Sequence, residues 1–117
     1  ITKFFEQIKL NQSPIVFGDG SHTRDFVSVE DVAQANLLSM QSSTDFSFLN
    51  IGTGIPTSVN DLAQLMINLS GKKLEIKYDE LPQGDVKESL ADVSLAKKLI
   101  SWNYETSLKD GLKKYFF

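Results

Sequence analysis

Cysteine is absent, which excludes disulfides and thiolate metal sites and leaves the compartment weakly constrained. Histidine occurs once, as His22, and with no carboxylate cluster of metal spacing beside it a metal site lacks ligands. No apolar run approaches the ~20 residues that span a bilayer. A basic excess is missing too. The net charge of −3 and an isoelectric point near 5.0 disfavour a general nucleic-acid role, which needs a concentrated basic face. No signal-peptide pattern is visible and the chain opens on Ile1 rather than methionine. It is therefore expected to be a piece of a longer polypeptide, with the cytoplasm as the default location. Arginine is nearly absent as well. Arg24 is the single one, and every other basic side chain that carries a fixed charge is a lysine.

What is present is ordinary for a folded domain. The 117 residues are 41% hydrophobic and 23% charged, enough for one modest core and against disorder. The chain is organised around residues 18–33, GDGSHTRDFVSVEDVA. This stretch holds a Gly-Asp-Gly turn, the lone arginine, a short alternating strand at 25–29 and a helix start that Glu30 or Asp31 is expected to cap. Before it, Ile1, Phe4, Phe5 and Ile8 share a helical face, and Ser13-Pro14 ends that helix. Residues 15–17 follow as an apolar strand. After it, Val32, Ala33, Leu37 and Met40 mark a helix. Residues 46–51 read as a strand closed by Gly52-Thr53-Gly54. Ser58 then caps a strong helix that carries Val59, Leu62, Ala63 and Met66 and stops at Gly71. Leu74, Ile76 and Tyr78 alternate as a half-buried strand, and residues 79–89 form a loop. Asp92 is expected to cap a short helix with Ala96, Leu99 and Ile100, and a last helix follows Thr106. Strands separated by helices indicate a mixed α/β fold.

Candidate chemistry centres on Arg24. Its planar fork suits a phosphate or carboxylate in two-point contact, and a strand after a glycine turn can hold it rigidly. A surface pair with Asp25 or Asp19 is the plainer alternative. A triad of Ser21, His22 and Asp25 needs a relay that neighbours in a turn rarely provide, so His22 reads as a solvent-exposed loop residue. Gly52-Thr53-Gly54 invites a phosphate-loop reading, but the third glycine of a dinucleotide turn and the Gly-Lys-Ser/Thr of a P-loop are missing. A tight strand-to-helix turn is the stronger reading. Glu30-Asp31 and Asp79-Glu80 are adjacent pairs that point apart and read as solvated caps or loop charges. Asp85 follows Gly84 in a loop, where a carboxylate can accept two hydroxyl hydrogen bonds, as from a ribose. Phe4, Phe5, Phe116 and Phe117 read as core or interface.

Five segments in order then carry a resemblance: GDGSHTRDFVSVEDVAQANLLSM, FLNIGTG, TSVNDLAQLM, QGDVKESLADVSLAKKLISW and TSLKDGL. The chain resembles the C-terminal part of an extended short-chain dehydrogenase/reductase of the nucleotide-sugar epimerase and dehydratase group, most closely the UDP-glucose 4-epimerase type. The resemblance implies a small mixed α/β substrate domain, with residues 1–117 as the nucleotide-sugar-binding portion and 24–54 packing on a dinucleotide-binding Rossmann domain outside this chain. It implies that Arg24 contacts the diphosphate of a nucleotide sugar, that Ile15 and Phe17 lie along the uracil largely through backbone groups, and that Asp85 accepts hydrogen bonds from the ribose. The family often places a second phosphate-binding arginine where this chain has Pro82. It also binds NAD through a glycine-rich turn and reacts through a Tyr-x-x-x-Lys pair, and neither pattern occurs here. The chain alone is thus expected to be inactive, with NAD held elsewhere in the intact protein. Members are commonly homodimers, through helices outside this stretch. A dehydratase or decarboxylase of the same family, or a non-catalytic binding or assembly module, are the alternatives. Apolar surface on Phe26, Val27, Leu37 and Phe48 is expected to lose cover without the Rossmann domain.

Overall fold

The computed structural model describes residues 1–43, 47–80 and 84–116. Helix α1 (Thr2–Lys9) buries Phe4 and Ile8 and is followed by strand β1 (Ile15–Phe17). Strand β2 (Thr23–Asp25) precedes helix α2 (Val29–Gln41), and strand β3 (Pro56–Ser58) runs directly into helix α3 (Val59–Ser70). Strands β4 (Lys77–Asp79) and β5 (Glu88–Ser89) are followed by helices α4 (Ser94–Ile100) and α5 (Leu108–Phe116). The strands make two small sheets. β1 pairs parallel with β4, and β2 lies between β3, antiparallel, and β5, parallel. This is the mixed α/β arrangement read from the sequence.

Two apolar clusters hold these elements. The first joins α1, β1, α3 and α5 through Ile8, Val16, Met66 and Leu112, each fully buried. Phe4 is buried and Phe5 and Phe116 pack partly buried against this cluster, the core role read for them, with Phe5 edge-on to Phe116 and to the exposed Tyr115; Phe117 lies outside the described residues. The second cluster joins α2, α4 and the 102–104 segment through Ala35, Ala96, Ile100 and Trp102. Phe26 packs on the first cluster and Val27 on the second, so this dipeptide straddles both.

Several boundaries differ from the sequence reading, each for a physical reason. The strand expected at 25–29 sits at 23–25, because its ladder partners, Pro56–Ser58 and Glu88–Ser89, end there. Phe26 and Val27 still alternate, but into two cores rather than along a ladder. Of the strand expected at 46–51, Phe46 lies outside the described residues and 47–51 pairs with no strand among them. Leu49 and Ile51 instead pack on the second cluster. Of the Leu74, Ile76 and Tyr78 alternation, only Tyr78 is in a ladder; Leu74 and Ile76 pack on the first core. Part of the 79–89 loop is β5. The cap of α2 is Ser28, whose hydroxyl accepts from Glu30 N. Asp92 accepts from Ser94 N one position ahead of the assigned α4 cap. Ser58 caps α3 and Gly71 ends it in the left-handed conformation, both as read.

Two carboxylates tie the pieces together. Asp31, expected to be solvated, is only 5% exposed; it accepts from Glu105 N at 3.3 Å and from Thr106 N at 3.1 Å, fixing the entry to α5. Asp25 accepts from Thr53 Oγ1 at 2.6 Å, Thr53 N at 2.9 Å, Gly54 N at 2.9 Å and Ala91 N at 3.4 Å. Partial burial pushes the Asp25 carboxyl up, but these donors outweigh it and hold it below its ordinary value. Gly52 is buried against this site: a Cβ there would meet Asp25 Oδ2 at 2.5 Å and Ala91 Cβ at 2.6 Å. Trp102 Nε1 donates to Gly52 O at 3.0 Å from behind.

Asp25→Asn keeps the shape but turns an amide N–H toward backbone donors, and is expected to destabilise the fold by about 2 kcal/mol at pH 7. Because the folded carboxyl titrates below its unfolded value, Asp25 contributes fully above about pH 4 and loses that contribution as pH falls through the folded value. Urea denaturation at pH 7 and at pH 2.5 should therefore show the gap between wild type and Asp25→Asn narrowing in acid; a gap that is constant with pH would refute this assignment. Gly52→Ala should lose about 2 kcal/mol at pH 7 through overpacking against Asp25 and Ala91.

Candidate functional site

Adjacent residues on a strand point to opposite faces. In β2 this sends Asp25 toward the 52–54 turn and leaves Arg24 to the other side. There Arg24 Nη2 donates to Asp85 Oδ1 at 2.8 Å, and Nη1 donates to its own neighbour's carbonyl, Thr23 O, at 2.8 Å. The plainer sequence alternatives, pairing with Asp25 or Asp19, do not occur. Asp25 is engaged with the turn, and Asp19 accepts from Ser21 N and Oγ. The two charged residues singled out from the sequence, 61 positions apart, are thus brought together. Their side chains are 29% and 41% exposed, so the Arg24 end is half-buried and the Asp85 end is open to solvent.

Asp85 lines a cavity of about 620 Å³ together with Ile15, Phe17, His22 and Val59. The burial pattern of β1 explains why. Val16 points into the first core, so Ile15 and Phe17 face the other way, 36% and 41% exposed. Among the described residues β1 pairs on one edge only, with β4. On its other edge Ile15 N donates to Gln7 Oε1 at 3.3 Å, while Phe17 has no ladder partner there among the described residues. Of the four site residues named from the sequence, Ile15, Phe17 and Asp85 line one cavity, and Arg24 is joined to it through its bond to Asp85.

The 18–24 segment that carries Arg24 is fixed by α3. Asn60 N donates to Gly20 O at 3.1 Å, Asn60 Nδ2 to Asp19 O at 2.8 Å, and Val59 N to His22 O at 3.0 Å. Tyr78 completes the clamp by donating to Asn60 Oδ1 at 3.1 Å. Gly20 has a φ of +71°, and a Cβ on it would stand 2.1 Å from Asn60 Oδ1, so only glycine fits. Asn60 was missed in the sequence; its position at the start of a helix gives no hint that its side chain grips a turn 40 residues earlier.

His22 differs from expectation. It is half-buried in the cavity wall, and its Nδ1 is buried without a partner among the described residues. No nucleophilic relay forms, because Ser21 Oγ donates to Asp19 and Asp25 is held by Thr53 and Gly54. The 52–54 turn does bind an anion through its N–H groups, but that anion is the Asp25 carboxylate. These residues consequently do not fit a dinucleotide pyrophosphate. Among the described residues no cluster of His, Asp and Glu could hold a metal ion. Pro82, at the position of the second family arginine, lies outside the described residues. No described helix is long and apolar enough to cross a membrane.

Known proteins resemble this chain in sequence and in fold. A family model described as GDP-mannose 4,6 dehydratase matches residues 1–115. A UDP-glucuronate 4-epimerase of Thermodesulfobacterium geofontis is 35% identical over 115 residues, covering 97% of this chain and 35% of that protein. The crystal structure of the Thermotoga maritima UDP-glucose 4-epimerase with UDP-glucose is 40% identical, with a TM-score of 0.90 over 97% of this chain and 37% of that one. A UDP-N-acetylglucosamine 4-epimerase from Methanobrevibacter ruminantium, in complex with UDP-N-acetylmuramic acid, is 30% identical with a TM-score of 0.90, covering 97% and 36% of the two chains. The chain thus spans about a third of the length of these relatives. By the family match and by these likenesses, the chain belongs to the NAD-dependent nucleotide-sugar epimerase/dehydratase family.

Proposed function

We infer that this chain is the C-terminal, substrate-binding part of an NAD-dependent nucleotide-sugar epimerase, of the UDP-glucose 4-epimerase type. The observation that carries the reading is that Ile15, Phe17 and Asp85 line one cavity, with Arg24 joined to it through Asp85. In this reading Arg24 holds the diphosphate, Asp85 accepts from the ribose hydroxyls, and the backbone of Ile15 and Phe17 reads the uracil. A guanidinium can take two phosphate oxygens at once, which a lysine at the same place cannot. The chemistry, oxidation of a sugar hydroxyl by NAD and return of the hydride to the opposite face, belongs to residues outside this stretch. Here the chain's part is binding and orientation. A second reading, a dehydratase of the same family, is favoured by the description of the family model that spans residues 1–115. The residues that decide between the two are ones that this chain does not carry.

Residues 24–54 would pack on the NAD-binding domain, and a homodimer would form through that domain's helices. Support comes from the apolar side chains of α2 and its flank: Val29, Leu37, Met40 and Phe48 are 53–85% exposed, more than single scattered residues require. Phe26 and Val27 are partly buried in the two clusters, so the uncovered surface is narrower than the sequence implied.

Titration of the full-length protein with UDP should perturb the amide signals of 15–17 and of Asp85, and Arg24→Ala should weaken UDP by ~10-fold or more, the loss of a charge-assisted pair of hydrogen bonds. Unchanged affinity in Arg24→Ala would remove the nucleotide-sugar reading. By light scattering, the 117-residue chain on its own should self-associate through the α2 face, and Met40→Lys should reduce that association. A clean monomer of the wild-type chain, ordered through 24–54, would contradict the packing proposal.

A further inference from the structure

We propose that the cleft between the β2–α2 junction and α5 is the seat of an apolar side chain from the residues that directly precede Ile1 in the intact protein. The inference rests on the reading of this chain as the C-terminal part of a longer polypeptide. It adds the place where the two parts are strapped together.

The cleft encloses about 430 Å³ between Phe26, Val27 and Val29 on one side and Leu108, Leu112 and Tyr115 on the other. Leu112 belongs to the first core, and Phe26 and Leu108 pack against it, yet Val29 and Tyr115 are left exposed. Native interiors leave few voids larger than a water molecule, so apolar walls of this extent call for an occupant. The polar side chains between them do not. Asp25 is held by the 52–54 turn, Ser28 Oγ accepts from Glu30 N, Ser107 Oγ donates to Asp110, and Glu30 pairs with Lys114. What stays uncovered is carbon, so the fitting occupant is apolar.

Gly111 marks where that occupant fits. It lies within α5, where glycine is a poorer helix former than alanine. Outside the helix's own backbone, the nearest atom to a Cβ placed there is Thr106 Cγ2 at 3.6 Å, an ordinary contact. Alanine would therefore fit, and the room that glycine leaves belongs to the cleft. Ile1 points to the occupant's identity. It lines the cleft, and its backbone nitrogen is partly buried, which pushes the amine down. The residue joined to that nitrogen starts out along the protein rather than straight into solvent. Three extended residues reach ~10 Å, enough to enter the cleft. Covalent attachment holds such a residue there at an effective concentration of about millimolar, ahead of a free apolar molecule or a second copy. Ile1 also borders the cavity that Asp85 lines, but Lys3, His22 and Asp85 give that wall a polar character that an apolar side chain avoids.

Methyl-labelled full-length protein provides the test. Nuclear Overhauser contacts from the methyls of Val29 and Leu108 should run to a side chain within three residues before Ile1. Hydrogen exchange followed by mass spectrometry should show the amides just before Ile1 protected in wild type and in Gly111→Ala. Gly111→Leu, which fills the cleft, should speed their exchange about ten-fold and leave the amides of α3 unchanged. Contacts from Val29 and Leu108 to another segment, or to a second copy in a mixed-label sample, would overturn the strap and leave the C-terminal reading standing. So would contacts from the preceding residues to Val59 and Ile15 instead, or unchanged exchange in Gly111→Leu. Should Gly111→Leu lose protection in α3 as well, the methyl contacts of the wild type decide alone. An intact mass showing no polypeptide before Ile1 would overturn both the strap and the reading beneath it.

Discussion

The carboxylate of Asp25 is the constraint on which the remaining architecture depends. It gathers donors from two distant places in the chain: the 52–54 turn closes over it, and Ala91 N reaches it from beyond β5. A buried or half-buried carboxylate with this many donors is far more ordered than one in water, because moving any partner leaves an anion or an N–H unsatisfied. The result is that β2 has no freedom to rotate about its axis. Its next residue back, Arg24, is then pinned to the opposite face by strand geometry alone. Structural anchoring and the proposed ligand contact are thus assigned to neighbouring residues of one three-residue strand.

The same economy appears at the start of α2. Asp31 sits in the first turn, where a carboxylate favours the positive end of the helix, and its oxygens also accept from the backbone at 105 and 106. One side chain thereby connects α2, which belongs to the second apolar cluster, to the entry of α5, which belongs to the first. Neither cluster is large. The polar anchors at Asp25 and Asp31 supply directionality that two small cores lack, since apolar contact alone does not fix how two lobes are rotated.

Elements governed by local rules were legible in the sequence. The face of α1, the Ser58 cap and Gly71 stop of α3, and the apolar strand at β1 depend on near neighbours. What the sequence hid was backbone pairing and long-range polar contact. Alternation at 47–51 and 74–76 reports side chains that enter a core on one side, which a segment without a ladder partner also shows. Asp25 and Asp31 looked like surface charge because their donors lie 28 and 74 positions or more away. At the site, Arg24 and Asp85 stood out for separate reasons of residue type and turn context, and their proximity could not be read from either. The grip of Asn60 and the half-buried place of His22 both depend on how the 18–24 turn packs on α3, which near neighbours in the sequence do not encode.

Thickness gives the last step. The molecule measures 50 × 35 × 16 Å, with a radius of gyration of 16.5 Å against about 13 Å for a compact chain of similar length. Sixteen ångströms is little more than one helix with its side chains, ~10–12 Å. A slab so thin cannot bury both faces of its elements, and α2 accordingly shows Val29 at 80% and Met40 at 82% exposure while Ala35, on its inner side, is at 2%. The same geometry bears on the cavity at β1. A nucleotide is thick enough to need walls on more than one side, and here one wall is α1, one is β1, and the rim is the Arg24–Asp85 pair. In the reading proposed above, a nucleotide in that cavity would meet this chain's residues on two sides and leave its remaining face to whatever surface covers the open side.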